Sequence, residues 1–323
     1  MFDPIISLVG LTIVAVTMVD ATITTISLSG AGPISGPVGH VVGRLAMHGS
    51  SRVSKNASIL ALLAMFFTWA LLLLIGWTLA FCGSESAVVS STGGQPANLI
   101  SRVYYAGFTI TTLGTGDYVS QGGLWQCLTI IAATTGFFQV TISATYVFNV
   151  LTALNERRTL GFAVGMLGDS PSEIVALHAE DTSSLQDELQ RMTSAMQAAA
   201  IKADSYPILA YTHVPNEKYS FSKAIATLAE VAVLMREVVE KESRLPESVL
   251  RPLFQSAMQL ISGHTKEVLA GKKHDCDIRP LEKSGITLQA DWDQRLQSNS
   301  VESIRRQLDA WLRWHNTDWG AIY

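Results

Sequence analysis

Charge is scarce in the first half of this 323-residue chain. Residues 1–150 contain only four basic side chains (Arg44, Arg52, Lys55, Arg102) and four acidic ones (Asp3, Asp20, Glu85, Asp117). All other charged residues, and with them the whole net charge of −4, lie in residues 151–323. A charge-poor front half joined to a charge-rich back half predicts a membrane domain followed by a soluble one. Other absences narrow the function. No basic stripe with interleaved aromatics is present, which argues against a nucleic-acid partner. No Gly-rich dinucleotide fingerprint, strand–helix alternation or calcium loop occurs, and no nucleophile–base pair or metal motif suggests an enzyme or a cofactor. No Arg-rich helix offers a voltage sensor. Three cysteines, Cys82, Cys127 and Cys276, make no disulfide framework. Cys82 and Cys127 fall near the outer ends of membrane segments, where two small buried apolar residues are a better reading than a disulfide.

What is present begins with long apolar runs. No charge occurs from Asn56 to Ser84, and Ile59–Phe81 is almost purely apolar. A second uncharged run extends from Tyr118 to Asn155, apolar from about Leu124, with Trp125 expected as an interface anchor. About 20 apolar residues cross a hydrocarbon core of ~30 Å as a helix, so both read as spans. A third candidate, Pro4 to about Leu28, carries Asp20 and lacks the basic start of a signal peptide, so it reads as a retained helix. Arg44, Arg52 and Lys55 follow the first span, and Arg157 and Arg158 follow the third. The positive-inside rule therefore puts these sites in the cytoplasm, and the N-terminus and segment 83–123 outside.

Within 83–123, Arg102–Thr112 is apolar and aromatic but too short to cross. It runs into Leu113-Gly114-Thr115-Gly116, whose alternating glycines suit neither helix nor strand. Irregular backbone at membrane depth is tolerated only where it is buried in protein or lines an aqueous path, so this reads as a re-entrant pore loop.

Here the sequence resembles the potassium-channel superfamily, of the two-span pore-loop prokaryotic type, over about residues 57–155. The match is Thr111-Thr112-Leu113-Gly114-Thr115-Gly116-Asp117 against a family pattern of T-T-V/I/L-G-Y/F-G-D. A dehydrated cation needs a ring of oxygens, which backbone carbonyls supply when the chain turns every carbonyl inward. Alternate positions then need unusual dihedrals, which glycine adopts without steric cost. The resemblance implies ion-binding roles for Thr112 (hydroxyl at the inner end), Leu113, Gly114, Thr115 and Gly116, and an acidic ring at the outer mouth from Asp117. It implies filter support from Tyr104, Tyr105 and Phe108, and a hinge at Gly136. From that glycine Phe137, Val140, Thr141, Ala144, Thr145 and Phe148 fall on one helical face, read as the cavity wall; Gly136, Thr141 and Thr145 also suit a helix–helix contact in lipid. Thr115 stands where the family usually has an aromatic, and Phe108 where some members have a carboxylate, so weakened discrimination of potassium against sodium is expected. One pore loop per chain implies a homotetramer.

The resulting expectation is an all-α membrane protein with three parts. Residues 1–56 form an N-terminal transmembrane helix and cytoplasmic linker. Residues 57–158 form the pore domain: outer helix 57–82, pore helix 101–112, filter 112–117 and inner helix 124–154. Residues 169–323 form a cytoplasmic helical regulatory or assembly domain. Asp20 reads as snorkelling to the interface from a short first helix, ahead of a surface linker over 29–56, in preference to binding a cation or pairing across helices. Gly161, Gly165 and Gly168 read as a linker. The soluble helices are expected from Asp169-Ser170-Pro171 onward, with a capping box at Ser183 and Gln186 and an apolar stripe Leu185, Leu189, Met192, Met196. Further helices are expected over about 219–242, 247–270 and 300–315. His274-Asp275-Cys276-Asp277 and His178, Glu180 and Asp181 read as solvated, and Trp311, Trp314 and Trp319 as core or a subunit contact. Function reads as a passive, potassium-preferring cation channel in a prokaryotic plasma membrane, its partners being potassium or other monovalent cations and the lipid bilayer. It needs no cofactor and has no metal site besides K⁺ at the filter. A non-selective channel and a non-conducting sensor or scaffold are the alternatives.

Overall fold

The computed structural model describes residues 4–26, 30–47, 57–179, 181–212, 217–265, 272, 274–315 and 317–323. The protein is a mostly helical membrane protein that divides into two compact units. The first contains residues 1–150 and 204–211, the second 151–203 and 212–323. The expected boundaries differ: 151–158 belongs with the second unit and 204–211 with the first.

Helices α1 (Pro4–Ile26), α2 (Ser35–Met47) and α3 (Ala57–Phe81) form the body of the first unit. It also holds α4 (Leu99–Ile110) and the start of α5 (Gly123–Leu167). Helices α1, α3 and α5 are each long and apolar enough to cross a membrane. α1 and α3 approach at small residues: a Cβ on Gly10 would overlap the backbone of Gly76 and Ala80, the close packing that substitutes for a hydrophobic drive in lipid. α5 is one unbroken helix of 45 residues, roughly 68 Å at 1.5 Å per residue, so only part of it fits a ~30 Å core. The expected linker at Gly161 and Gly165 is absent, because both lie inside α5. Gly161 is there for contact: a Cβ would come within 2.7 Å of the Tyr219 backbone.

Two further expectations fail in this unit. Residues 35–47, assigned to a surface linker, form α2, while residues 27–29 and 48–56 lie outside the described residues. Asp20 does not snorkel. α1 continues past it to Ile26, and Asp20 is fully buried. Its carboxylate accepts bonds from the Ile34 amide (2.7 Å), the Ser35 amide (3.3 Å) and hydroxyl, and Trp69 Nε1 (2.8 Å). It is therefore the N-terminal cap of α2 and a tie from α1 to α3, which satisfies a carboxylate that lipid would otherwise penalise. The segment 204–211 closes this arrangement: the Tyr211 hydroxyl meets His40 Nδ1 at 2.5 Å, and Gly43 leaves room for the Tyr211 ring.

The second unit is a helical assembly around one continuous core. α8 (Phe221–Glu237), expected over about 219–242, lies at its centre and is buried nearly all round. α6 (Pro171–Leu177), α7 (Thr182–Ser205), α9 (Glu247–Thr265), α10 (Arg279–Lys283), α11 (Trp292–Leu296) and α12 (Asn299–Trp314) complete it. The stripe Leu185, Leu189, Met192, Met196 is buried as its period requires. Capping differs from expectation. Asp181, one residue before α7, accepts from the Ser184 amide at 3.1 Å and the Ser183 hydroxyl at 2.7 Å, and these bonds lower its pKa. Ser170 caps α6 through the Glu173 amide at 3.2 Å, and the Glu173 carboxylate accepts from the Asp169 amide at 2.7 Å. Ser220 and Ser298 cap α8 and α12. Across the core, buried Glu230 accepts from Arg305 Nε (2.9 Å) and the Tyr323 hydroxyl (2.9 Å). Burial opposes the Arg305 charge, and the Glu230 carboxylate outweighs it, leaving the guanidinium pKa raised. Trp311 is core, its Nε1 bonded to the Ser222 carbonyl at 3.1 Å, Trp319 is buried and Trp314 half-buried.

The 274–277 run is not simply solvated. His274 bonds Asp309 at 2.9 Å and stacks on Trp319, and half-buried Cys276 has its thiol pKa raised by burial. Asp277 does face solvent, paired with Arg279. His178 bonds the Ile174 carbonyl at 2.8 Å as the C-cap of α6; Glu180 lies outside the described residues.

Candidate functional site

The site is assembled from α3, α4, the 111–122 loop and α5. α4 starts at Leu99, two residues before its expected start, because Asn98 caps it through the Ser101 amide at 2.9 Å. It ends at Ile110, where the Thr112 amide bonds the Thr109 carbonyl (3.0 Å) and the Leu113 amide the Phe108 carbonyl (2.8 Å). The chain then leaves the helix with φ of 57° at Thr112, 58° at Gly114 and 82° at Gly116. Three alternate residues therefore occupy left-handed backbone. Two are glycines, which bear it freely, and one is a threonine, which does not. Residues 111–117 are all exposed on the single chain.

Beyond Gly116 the chain is pinned. Strand β2 (Tyr118–Val119) pairs antiparallel with β1 (Val89–Ser90), and the Ser91 amide bonds the Asp117 carbonyl at 3.0 Å. The Asp117 carboxylate accepts from the Tyr104 hydroxyl at 3.1 Å, and Tyr118 and Ser101 hydroxyls meet at 2.8 Å. Tyr105 is 2% exposed and bonds Thr129 at 2.7 Å, whereas Tyr104 is 42% exposed. Phe108 packs edge-on against both tyrosines. The three expected support residues thus form one aromatic group on α4. A cavity of about 550 Å³ borders the loop, lined among others by Tyr105, Phe108, Thr112, Gly114 and Gly116.

Sequence reasoning missed Arg102. It is buried in the first turn of α4 and donates from Nε to the Ala97 carbonyl (2.9 Å) and from Nη1 to the Phe81 and Ser84 carbonyls. It thereby ties the end of α3 to the start of α4 and meets carbonyls that a helix end leaves orphaned. The signal was available: Arg102 is the only basic residue between Lys55 and Arg157.

On α5, Phe137, Val140, Thr141, Ala144, Thr145 and Phe148 are all exposed on the single chain. The Thr141 and Thr145 hydroxyls bond their own helix, to the Phe137 and Thr141 carbonyls. Gly136 lies mid-helix, and a Cβ there would overlap the Ile110 carbonyl. Close packing against the end of α4 explains this glycine without a hinge. On the buried side, Trp77 Nε1 bonds Thr135 at 2.9 Å. Trp125 packs inward beside Phe81 instead of anchoring an interface. Cys82 is half-buried and Cys127 exposed, both as free thiols, so the expectation of two buried residues fails. Among the described residues no group of His, Cys, Asp or Glu is arranged to hold a metal.

Comparison with known proteins fits this geometry. Residues 64–153 match the model of a family described as Ion channel. The matched residues include most of α3, all of α4, the loop and the first two-thirds of α5, so the similarity falls on the pore-type segment. The chain is also 28% identical over 308 residues to the "Uncharacterized membrane protein YdjJ" of Bacillus subtilis (strain 168), covering 93% of this chain and 90% of that relative. No solved structure matches.

Proposed function

We propose that this protein is a passive cation channel, potassium-preferring, that conducts between four copies of the 112–117 loop in a homotetramer. The observation that carries the proposal is the left-handed backbone at Thr112, Gly114 and Gly116 in a loop at the end of a short helix between two apolar spans. Such alternation turns successive carbonyls toward one side, the arrangement that replaces a cation's hydration shell. Leu113, Gly114 and Thr115 supply carbonyls, Thr112 a hydroxyl at the inner end, and Asp117 negative charge at the mouth. Each chain has one such loop, so four chains close the ring, and the exposed face of α5 from Phe137 to Phe148 lines the path below it. The basic residues near the span ends put the loop outside and the charged second unit in the cytoplasm.

Thr115 sets the expected selectivity. It is too small to brace the loop as an aromatic would, so the ring of carbonyls is softer and potassium is favoured over sodium only weakly. The test is flux from liposomes loaded with potassium, repeated with sodium, using the purified full chain. Potassium flux a few-fold above sodium flux is expected. Strict exclusion of sodium would remove the weakened selectivity, and absence of flux for both ions would count against conduction.

A further inference from the structure

The second unit holds a cavity of about 460 Å³, within the size range that takes a small molecule. Its walls come from three stretches apart in sequence: the end of α6, the turn after α8 and the 284–287 turn after α10. Val175, Met235 and Val239 lie buried behind it. Its wall is mainly polar and includes Ser243 and Arg244.

Arg244 is the informative residue. Three arginines of this unit are matched to carboxylates, Arg236 to Glu247, Arg295 to Glu237 and Arg305 to Glu230. Arg244 is half-buried and makes no ion pair with a described residue. Its Nη2 donates to the Val239 carbonyl at 3.1 Å, and its Nε is buried without an acceptor among the described residues. Glu247, whose carboxyl pKa is lowered, owes that first to its hydrogen bond with Arg236 and only further down to the Arg244 charge. Glu242 also lines the cavity but is exposed and forms no ion pair with Arg244. A half-buried cation with a hydroxyl beside it has the chemistry for an anionic group.

We propose that this cavity binds a small organic anion, its carboxylate or phosphate held by Arg244 and Ser243. The bound molecule would tie α6 to the turn after α8. Because α6 follows α5 after only three residues, 168–170, the same ligand would alter how the inner helix is held; that regulatory half rests on the channel reading.

The test is thermal unfolding of the purified full chain titrated with benzoate, its uncharged twin benzamide, and AMP. Benzoate or AMP is expected to raise the unfolding midpoint saturably, benzamide far less. Arg244→Gln should weaken the anion at least tenfold, Arg244→Lys should recover part of it, and Ser243→Trp, which fills the cavity, should abolish it with Arg244 still present. No saturable shift with either anion, or an equal shift in Arg244→Gln, overturns the site. This readout requires no conduction, so its failure is separate from failure of the channel reading. In liposomes the bound anion should change flux, and should not in Arg244→Gln; unchanged flux in the wild type would overturn the regulatory half alone.

Discussion

The two units solve the problem of buried charge in opposite ways. In the first, the Asp20 carboxylate makes no ion pair with a described residue and is met by two backbone amides, a hydroxyl and an indole. Arg102 likewise has carbonyl oxygens as its named partners. In the second, Glu230 and Arg305 meet each other in the middle of an apolar core. Where the surroundings are apolar on every side, the first unit uses its few charges to terminate and tie helices. The second unit, which can place most charges in water, buries the Glu230–Arg305 pair. The comparison also shows in exposed apolar surface: Phe67, Phe137, Phe138, Val140 and Phe148 are more than half exposed, as suits a unit whose long helices can cross a membrane.

The contrast has consequences that differ in size. Glu230→Gln leaves Arg305 charged and buried without its partner, a change that costs about 3–5 kcal/mol in such settings. Replacing both residues with leucine and methionine should restore most of the loss, as read by denaturant unfolding of the full chain. A double variant no better than the single one would mean the pair specifies the fold and is not an exchangeable filler. Asp20 should behave differently. Asp20→Leu orphans the amides of Ile34 and Ser35 and the Trp69 indole, at about 1–3 kcal/mol for each group left without an acceptor. No apolar replacement of Trp69 should rescue it, since the backbone amides remain; rescue by Trp69→Phe would break the contrast between the units.

The smallest effect concerns Asp277. Its side-chain bonds with Arg279, ahead of the charge of that guanidinium, depress its carboxyl to about 2 from an ordinary 3.8. A depressed carboxylate stabilises the fold above its ordinary value, and that contribution is lost as pH falls through about 2. Because both groups are exposed, the contribution is small. Asp277→Asn should therefore lower stability slightly at pH 7, with the difference from the wild type vanishing between roughly pH 4 and 2. A change at neutral pH of the size expected for Glu230→Gln would show that the surface pair had been misjudged.

Much of this was legible in the sequence, and the misses share a cause. The three spans follow from length and apolarity, and the soluble helices from stripes such as Leu185, Leu189, Met192 and Met196. The loop at 112–117 was legible because its glycines have no other use in that place. α2 was not, because Gly36, Pro37, Gly39 and Gly43 resemble a linker; two outside contacts, Asp20 at its start and Tyr211 at Gly43, hold it helical. Gly161 misled in the same way, since a small residue that permits close packing looks identical to one that permits bending. Asp20 was misplaced because the partners that satisfy it lie 14 to 49 residues away, beyond the reach of any local pattern.

The most direct test of the central claim is Gly114→Ala in the same liposome assay. At φ of 58° an alanine is strained, and on the single chain nothing lies within 4 Å of where its Cβ would sit, so the fold of the chain should be spared. Flux falling to the leak of protein-free liposomes, with the oligomer unchanged by cross-linking, is the predicted result. Flux equal to that of the wild-type chain would contradict conduction through this loop.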